Sequence, residues 1–174
     1  MNKPLLAVIV ILAIAVVYVA IDKLWVTDEE IINEQIHLVS QAIEHKDLEL
    51  CMRYISDDFM SAEKRVDKNR LLRLAQGKFA QADNLKMILA EKEISVDGDE
   101  ARVFLKFRLM GEYIGRMDQF VGQRGFILGE PLKAARVTLH LRRRLPAGDS
   151  DSGQPQFMVY SVSGFDPGYK MPTR

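Results

Sequence analysis

The sequence predicts an α+β fold: an N-terminal transmembrane helix, then three helices packed on a curved antiparallel sheet. Three observations carry that reading. The run from Leu5 to Ile21 is uniformly apolar, with no charge, glycine or proline. Between Val26 and Ala82 the apolar residues recur at helical spacing. From Leu85 onward they alternate with polar residues at the period of a strand. Helices gathered first and strands afterwards give segregated layers rather than a βαβ alternation.

The apolar run reads LLAVIVILAIAVVYVAI. At 1.5 Å per residue it makes a helix of about 26 Å, near the lower limit for crossing a bilayer's hydrocarbon core. A helix satisfies its own backbone groups, as lipid requires. A cleaved signal peptide shares the basic start and apolar run but needs small residues at its exit. Here bulky Tyr18 stands two before Ala20, the small pair Ala13 and Ala15 lies inside the run, and no cysteine follows for lipid attachment. An uncleaved, single-pass anchor is therefore expected. Lys3 and the α-amino group precede it; Lys23 beside Asp22, then Asp28, Glu29 and Glu30, follow, a bias of one basic charge toward the N-terminal side. That asymmetry places the N-terminus in the cytoplasm and the domain on the extracytoplasmic, periplasmic side. The chain then divides into an anchor at 1–22, a domain at 23–166 and a tail at 167–174.

Some 150 residues beyond the anchor suffice for one domain with a real core. Hydrophobic content of 48% and charged content of 28% are ordinary for a globular chain. Net charge is zero but unevenly spread. Residues 22–63 hold 11 acids and 3 bases, residues 64–82 hold 6 bases and 1 acid, and residues 132–145 hold 5 bases and no acid. Cys51 is the single cysteine, so no intrachain disulfide braces the domain. It falls on an apolar helical face and reads as a small buried hydrophobe.

The first helix spans Val26 to Lys46. Thr27 is its N-cap, Glu30 completes a capping box, and Val26 can staple against Ile31. Ile32, Ile36, Val39 and Ile43 give one apolar stripe, widened by Ile31, Leu38 and Ala42. Asp47 caps a short second helix with Leu48, Cys51, Met52 and Ile55 on its apolar side, ended by Asp57 and Asp58. Asp67 opens a third, with Leu72, Ala75, Phe79 and Ala82 inward. Leu85 to Val96 is strand-like, with a phase shift near Glu91 that indicates a bulge or bend. Asp97-Gly98 is a two-residue hairpin signal. Ala101, Val103, Leu105, Phe107 and Leu109 then alternate cleanly. Residues 111–129 hold five glycines and read as strand, loop or bent hairpin. Ala135, Val137, Leu139 and Leu141 alternate again, a polar loop follows over 146–155, and Phe157 to Phe165 is the last strand.

This order resembles the NTF2-like (cystatin-like, SnoaL-like) superfamily over roughly Thr27 to Phe165. The residues that carry it are the long first helix, the Lys46-Asp47-Leu48 step, the Ile55-Ser56-Asp57-Asp58-Phe59 exit and a third helix before the sheet. The resemblance implies a cone of helices on a bent sheet, with a pocket at its open end. That superfamily hosts isomerases, dehydratases, transport adaptors and inactive scaffolds, so the fold does not select an activity. By architecture, a membrane helix before such a domain also resembles the bitopic assembly component of type IV secretion systems.

No catalytic residue, cofactor site or metal site is assigned. The three histidines are scattered, and one cysteine cannot complete a ligand set. Gly122-Gln123-Arg124-Gly125 lacks the Gly-Lys-Ser/Thr ending of a phosphate loop. Tyr54, Tyr113 and Asp118 are the candidates for a pocket mouth. Arg102, Lys106 and Arg108 alternate on one strand, and Arg136, Arg142 and Arg144, with His140, on another. If those strands are neighbours, they form a candidate anion-binding face. Zero net charge, with no aromatics among these bases, argues against nucleic acid. The reading is a membrane-tethered, non-enzymatic module that binds or positions a protein partner in the cell envelope, with a homo-oligomer as a further candidate assembly. The alternative is a tethered small-ligand binder or a pocket enzyme of ketosteroid-isomerase or dehydratase type. A third reading is a binder of polar lipid or anionic polymer.

Overall fold

The computed structural model of the chain describes residues 26–63, 65–114, 124–129, 132–144 and 156–167. The expected anchor from Leu5 to Ile21 lies outside them. Among the described residues no helix is long and apolar enough to cross a membrane.

Helix α1 (Asp28–Glu44) starts where its capping box sets it. The Glu30 backbone N–H donates to Thr27 Oγ1 at 3.3 Å, and the Thr27 N–H donates to Glu30 Oε2 at 2.9 Å. Two otherwise unpaired donors are thereby satisfied. Val26 stays 49% exposed, so the expected staple on buried Ile31 leaves much of it in solvent. The helix stops because Lys46 takes the left-handed conformation, with φ of 57°. Its N–H then reaches the Ile43 carbonyl at 3.2 Å and that of Asp47 the Ala42 carbonyl at 2.8 Å, the two bonds of a Schellman ending. Thr27→Ala removes the cap acceptor and should cost about 0.5–2 kcal/mol. A denaturation midpoint identical to the parent's would contradict the cap.

Asp47 and Asp67 act as foreseen. Asp47 accepts from Leu50 N at 2.9 Å to open helix α2 (Leu48–Arg53), and Asp67 from Arg70 N at 2.7 Å to open α3 (Lys68–Phe79). Ala82, expected on the inner face of α3, is instead the buried first residue of a strand.

Among the described residues six strands form one sheet: β1 (Ile55–Ser61), β2 (Ala82–Asp97), β3 (Glu100–Tyr113), β4 (Arg124–Leu128), β5 (Ala135–Arg144) and β6 (Gln156–Asp166). Their order is β1-β6-β5-β3-β2, with β4 pairing β3 off that path. The expected antiparallel sheet is therefore mixed, because β1 runs parallel to β6. Residues 55–59, read as a helix exit, are a strand. The ladder of β6 holds it, with Val159 N donating to Tyr54 O at 2.8 Å and Ala62 N to Val162 O at 3.1 Å. The expected phase shift near Glu91 is a register break between Leu89 and Glu91. The hairpin turn lies one residue later than expected. Asp97 pairs with Glu100, and Gly98, with φ of 59°, takes the first central position, where a type II′ turn places glycine.

The helices cover one face of this sheet. Val103, Leu105, Val137, Leu141, Phe157 and Val159 from the strands meet Ile31, Ile32 and Ile36 of α1 and Phe59 of β1 in a single core. The period-2 pattern of β3 and β5 thus did predict which residues face inward.

Candidate functional site

The core does not fill the space between helices and sheet. A cavity of about 460 Å³ remains, within the range typical of small-molecule sites. Helix α1 contributes Ile32, Gln35, Ile36, Val39 and Ser40 to its wall, and α2 and α3 contribute Cys51, Leu71 and Leu74. The sheet supplies Leu105, Leu139, Leu141, Phe157 and Val159. Among the described lining residues there is no Lys, Arg or His, and one carboxylate, Glu63. Glu63 is already engaged: its Oε1 accepts from Gly164 N at 2.8 Å.

Two polar groups in the wall differ from the rest. Gln35 is only 8% exposed, and its Oε1 has no hydrogen-bond partner among the described residues. Cys51 is half-buried, and burial first, then the nearby Asp47 charge, pushes its thiol up from 9.0 to about 11. The thiol therefore stays protonated at neutral pH, in line with the packing role expected for it. At pH 8 it should be alkylated slower than the same cysteine in the unfolded chain by at least about tenfold. Equal rates would contradict a protonated cavity thiol.

The candidates for a pocket mouth separate. Tyr54 is buried and lines the cavity wall. Tyr113, at the end of β3 opposite Ala82, is half-buried and not among the lining residues. Asp118 lies outside the described residues. Sequence reasoning missed Gln35 and Glu63. For Gln35 a signal existed: it stands three after Ile32 and four before Val39, inside the apolar stripe of α1.

The candidate anion-binding residues do share a face, because β3 and β5 are neighbours. Arg102 stands opposite His140 and Lys106 opposite Arg136, on the side away from the helices. That face is interleaved with acids. Lys106 pairs with Glu91 at 3.1 Å, Arg136 with Asp166 at 3.0 Å and Arg142 with Asp58 at 3.5 Å. Arg108 is half-buried and engaged, while Arg102 and Arg144 are exposed. The Arg142 guanidinium also lies 4.6 Å from the centroid of the Tyr160 ring. Asp58, Arg142 and Arg144 meet Ser56, Asp57 and Arg143 in a polar cleft of about 330 Å³. Asp57 is held below the usual carboxylate range by its hydrogen bond from Lys68, and Asp58 by its hydrogen bond from Ser56. These exposed pairs contribute little to stability. Replacing Arg136 and Arg142 together with Gln should shift stability by less than about 1 kcal/mol. A larger loss would mean that the outer face is structural.

His37 and His45 take solvated and capping roles: His37 meets Gln41, and His45 Nδ1 lies 2.8 Å from the Gln41 carbonyl. Among the described residues no group of three or more His, Cys, Asp or Glu is placed to hold a metal ion.

Comparison with solved structures places the fold. The chain is similar to a conserved protein from Planctomyces limnophilus, with a TM-score of 0.58 at 14% identity, covering 79% of this chain and 94% of that one. A candidate dehydratase of the NTF2-like family from Streptomyces avermitilis gives 0.57 at 15% identity, covering 78% and 94%. An NTF2-like protein of unknown function in nutrient uptake from Rhodospirillum rubrum gives 0.52 at 15% identity, covering 75% and 93%. No protein-family model matches the chain, and neither does any curated protein. The described domain therefore has an NTF2-like, cystatin-like α+β fold, and likeness at this identity establishes the fold alone.

Proposed function

We propose that this domain is a small-ligand binder whose site is the cavity between α1 and the sheet. One observation carries the reading: about 460 Å³ of space lined almost wholly by apolar side chains, where a scaffold would close its core. Burying apolar ligand surface in such a space is favourable at roughly 25 cal/mol per Å² before association costs. Binding is favoured over acid–base catalysis because the described wall offers no histidine and its one carboxylate is tied to Gly164. The alternative weighed from the sequence thus outranks a scaffold that positions an envelope partner. A tether through Leu5 to Ile21, with the domain on the extracytoplasmic side, remains part of the proposal and rests on the sequence.

The test uses Cys51, which lines the cavity and is the chain's single cysteine. Saturating amounts of a neutral apolar compound should slow its alkylation and raise the thermal midpoint, since a ligand that binds the folded state stabilises it by mass action. If compounds of this class change neither, the cavity is not a binding site.

A further inference from the structure

We infer that Gln35 is the polar anchor of this cavity, and that the ligand is a neutral, mainly apolar molecule carrying one O–H or N–H donor. The inference rests on the ligand-binding reading above and adds the chemistry of the ligand. Gln35 sits midway along α1, is more than nine-tenths buried and lines the cavity. Its Oε1 has no partner among the described residues. Leaving an amide oxygen buried and unpaired is costly, so such groups are rare in folded proteins unless something outside the chain completes them.

The neighbours of Gln35 along α1 show why this position stands out. Ile31, Ile32 and Ile36 flank it and are buried apolar residues of the core. Core packing alone would place another aliphatic side chain there. A buried amide instead destabilises the empty fold and rewards a ligand that hydrogen-bonds to it. Such a site discriminates strongly, because an analogue without the donor leaves the amide unpaired.

The ligand's charge follows from the wall. A carboxylate or phosphate would enter without a cation to meet it, since the described lining has no Lys, Arg or His. Glu63 adds repulsion against an anion, and its oxygen is already held by Gly164 N. A neutral alcohol, phenol or amide has the single donor that Gln35 Oε1 lacks, and its apolar body matches the remaining wall.

The experiment compares three neutral probes of equal heavy-atom count in the full chain: decanol, methyl nonyl ether and decan-2-one. Only the first carries a donor. The readout is the probe concentration that half-protects Cys51 from alkylation. Decanol should protect at roughly tenfold lower concentration than the ether, the size of effect that one buried hydrogen bond provides. Gln35→Met, apolar and close in size, should remove that preference, so that decanol and the ether half-protect Cys51 at concentrations within about twofold of each other. Gln35→Leu serves the same purpose if the Met variant does not fold, and the comparison in the unsubstituted chain requires no variant. Equal protection by decanol and ether overturns the anchor and leaves the ligand-binding reading standing; this is also the outcome if water completes the Gln35 oxygen. Preference for the ketone overturns the acceptor role. An alcohol preference that survives Gln35→Met assigns the acceptor to another group and also overturns the inference. Failure of all three probes to protect Cys51 removes the binding reading, and this inference with it.

Discussion

Phe157→Ala should destabilise the domain by about 3–5 kcal/mol, the cost typical of deleting a fully buried aromatic ring. Phe157 has no exposed surface and stands in β6 opposite Arg143 of β5. Its ring belongs to the core and also forms part of the cavity wall, so its loss would enlarge a void that already exists. The substitution acts at a second place as well. The Arg143 guanidinium lies 5.2 Å from the centroid of the Phe157 ring and pairs with Asp28 at the start of α1. It also reaches Asp99 of the hairpin turn at 3.3 Å. Removing the ring takes away the surface on which this bridge between helix, turn and sheet rests. Phe157→Leu keeps most of the volume and should cost less than about 1.5 kcal/mol. Denaturant midpoints of the two variants decide the matter. Equal, small losses would show that the ring is not a keystone of the core.

Gly111→Val should cost about 3 kcal/mol, toward the upper end of overpacking penalties. Gly111 has no need of glycine's backbone freedom; what it needs is space. A Cβ there would lie 2.7 Å from Ile127 Cδ1, 2.9 Å from Leu85 Cδ2 and 2.9 Å from the Asp83 carbonyl oxygen. The two side-chain tips can turn away, but the Asp83 carbonyl belongs to β2, where Asp83 pairs with Glu112 next to Gly111. Here β3 is paired on both sides, to β2 and, through Gly111 and Gly125, to β4. Gly125 itself has open space around it. Gly125→Ala should therefore be mild where Gly111→Val is severe. Similar melting temperatures for the two variants would contradict the close approach at Gly111.

What could be read from the sequence follows the range of the interactions. Thr27, Asp47 and Asp67 were identifiable as caps because each bonds a backbone N–H three residues on. The inward residues of β3 and β5 were identifiable because alternation is a local property. Strand β1 was not, since its adjacent Asp57 and Asp58 resemble a helix exit and its ladder lies some hundred residues away in β6. The turn at Gly98 slipped by one residue because Asp-Gly fits two turn types that place glycine differently. The cavity was foreseen only as an implication of the fold. Neither its volume nor its lack of cations can be read from periodicity, because both depend on how far helices stand from the sheet. Gln35 was the one legible trace, a polar residue inside an apolar stripe.

The central claim is that apolar ligands enter the space beneath α1, and a methyl-resolved NMR titration tests it most directly. Decanol added to the protein should move the methyl signals of Ile32, Ile36, Leu105 and Leu141, which line the cavity. The methyls of Ile88, Leu89 and Leu132, exposed on the surface, should stay in place. Shifts confined to those surface methyls, or no shifts at saturation, would contradict the account.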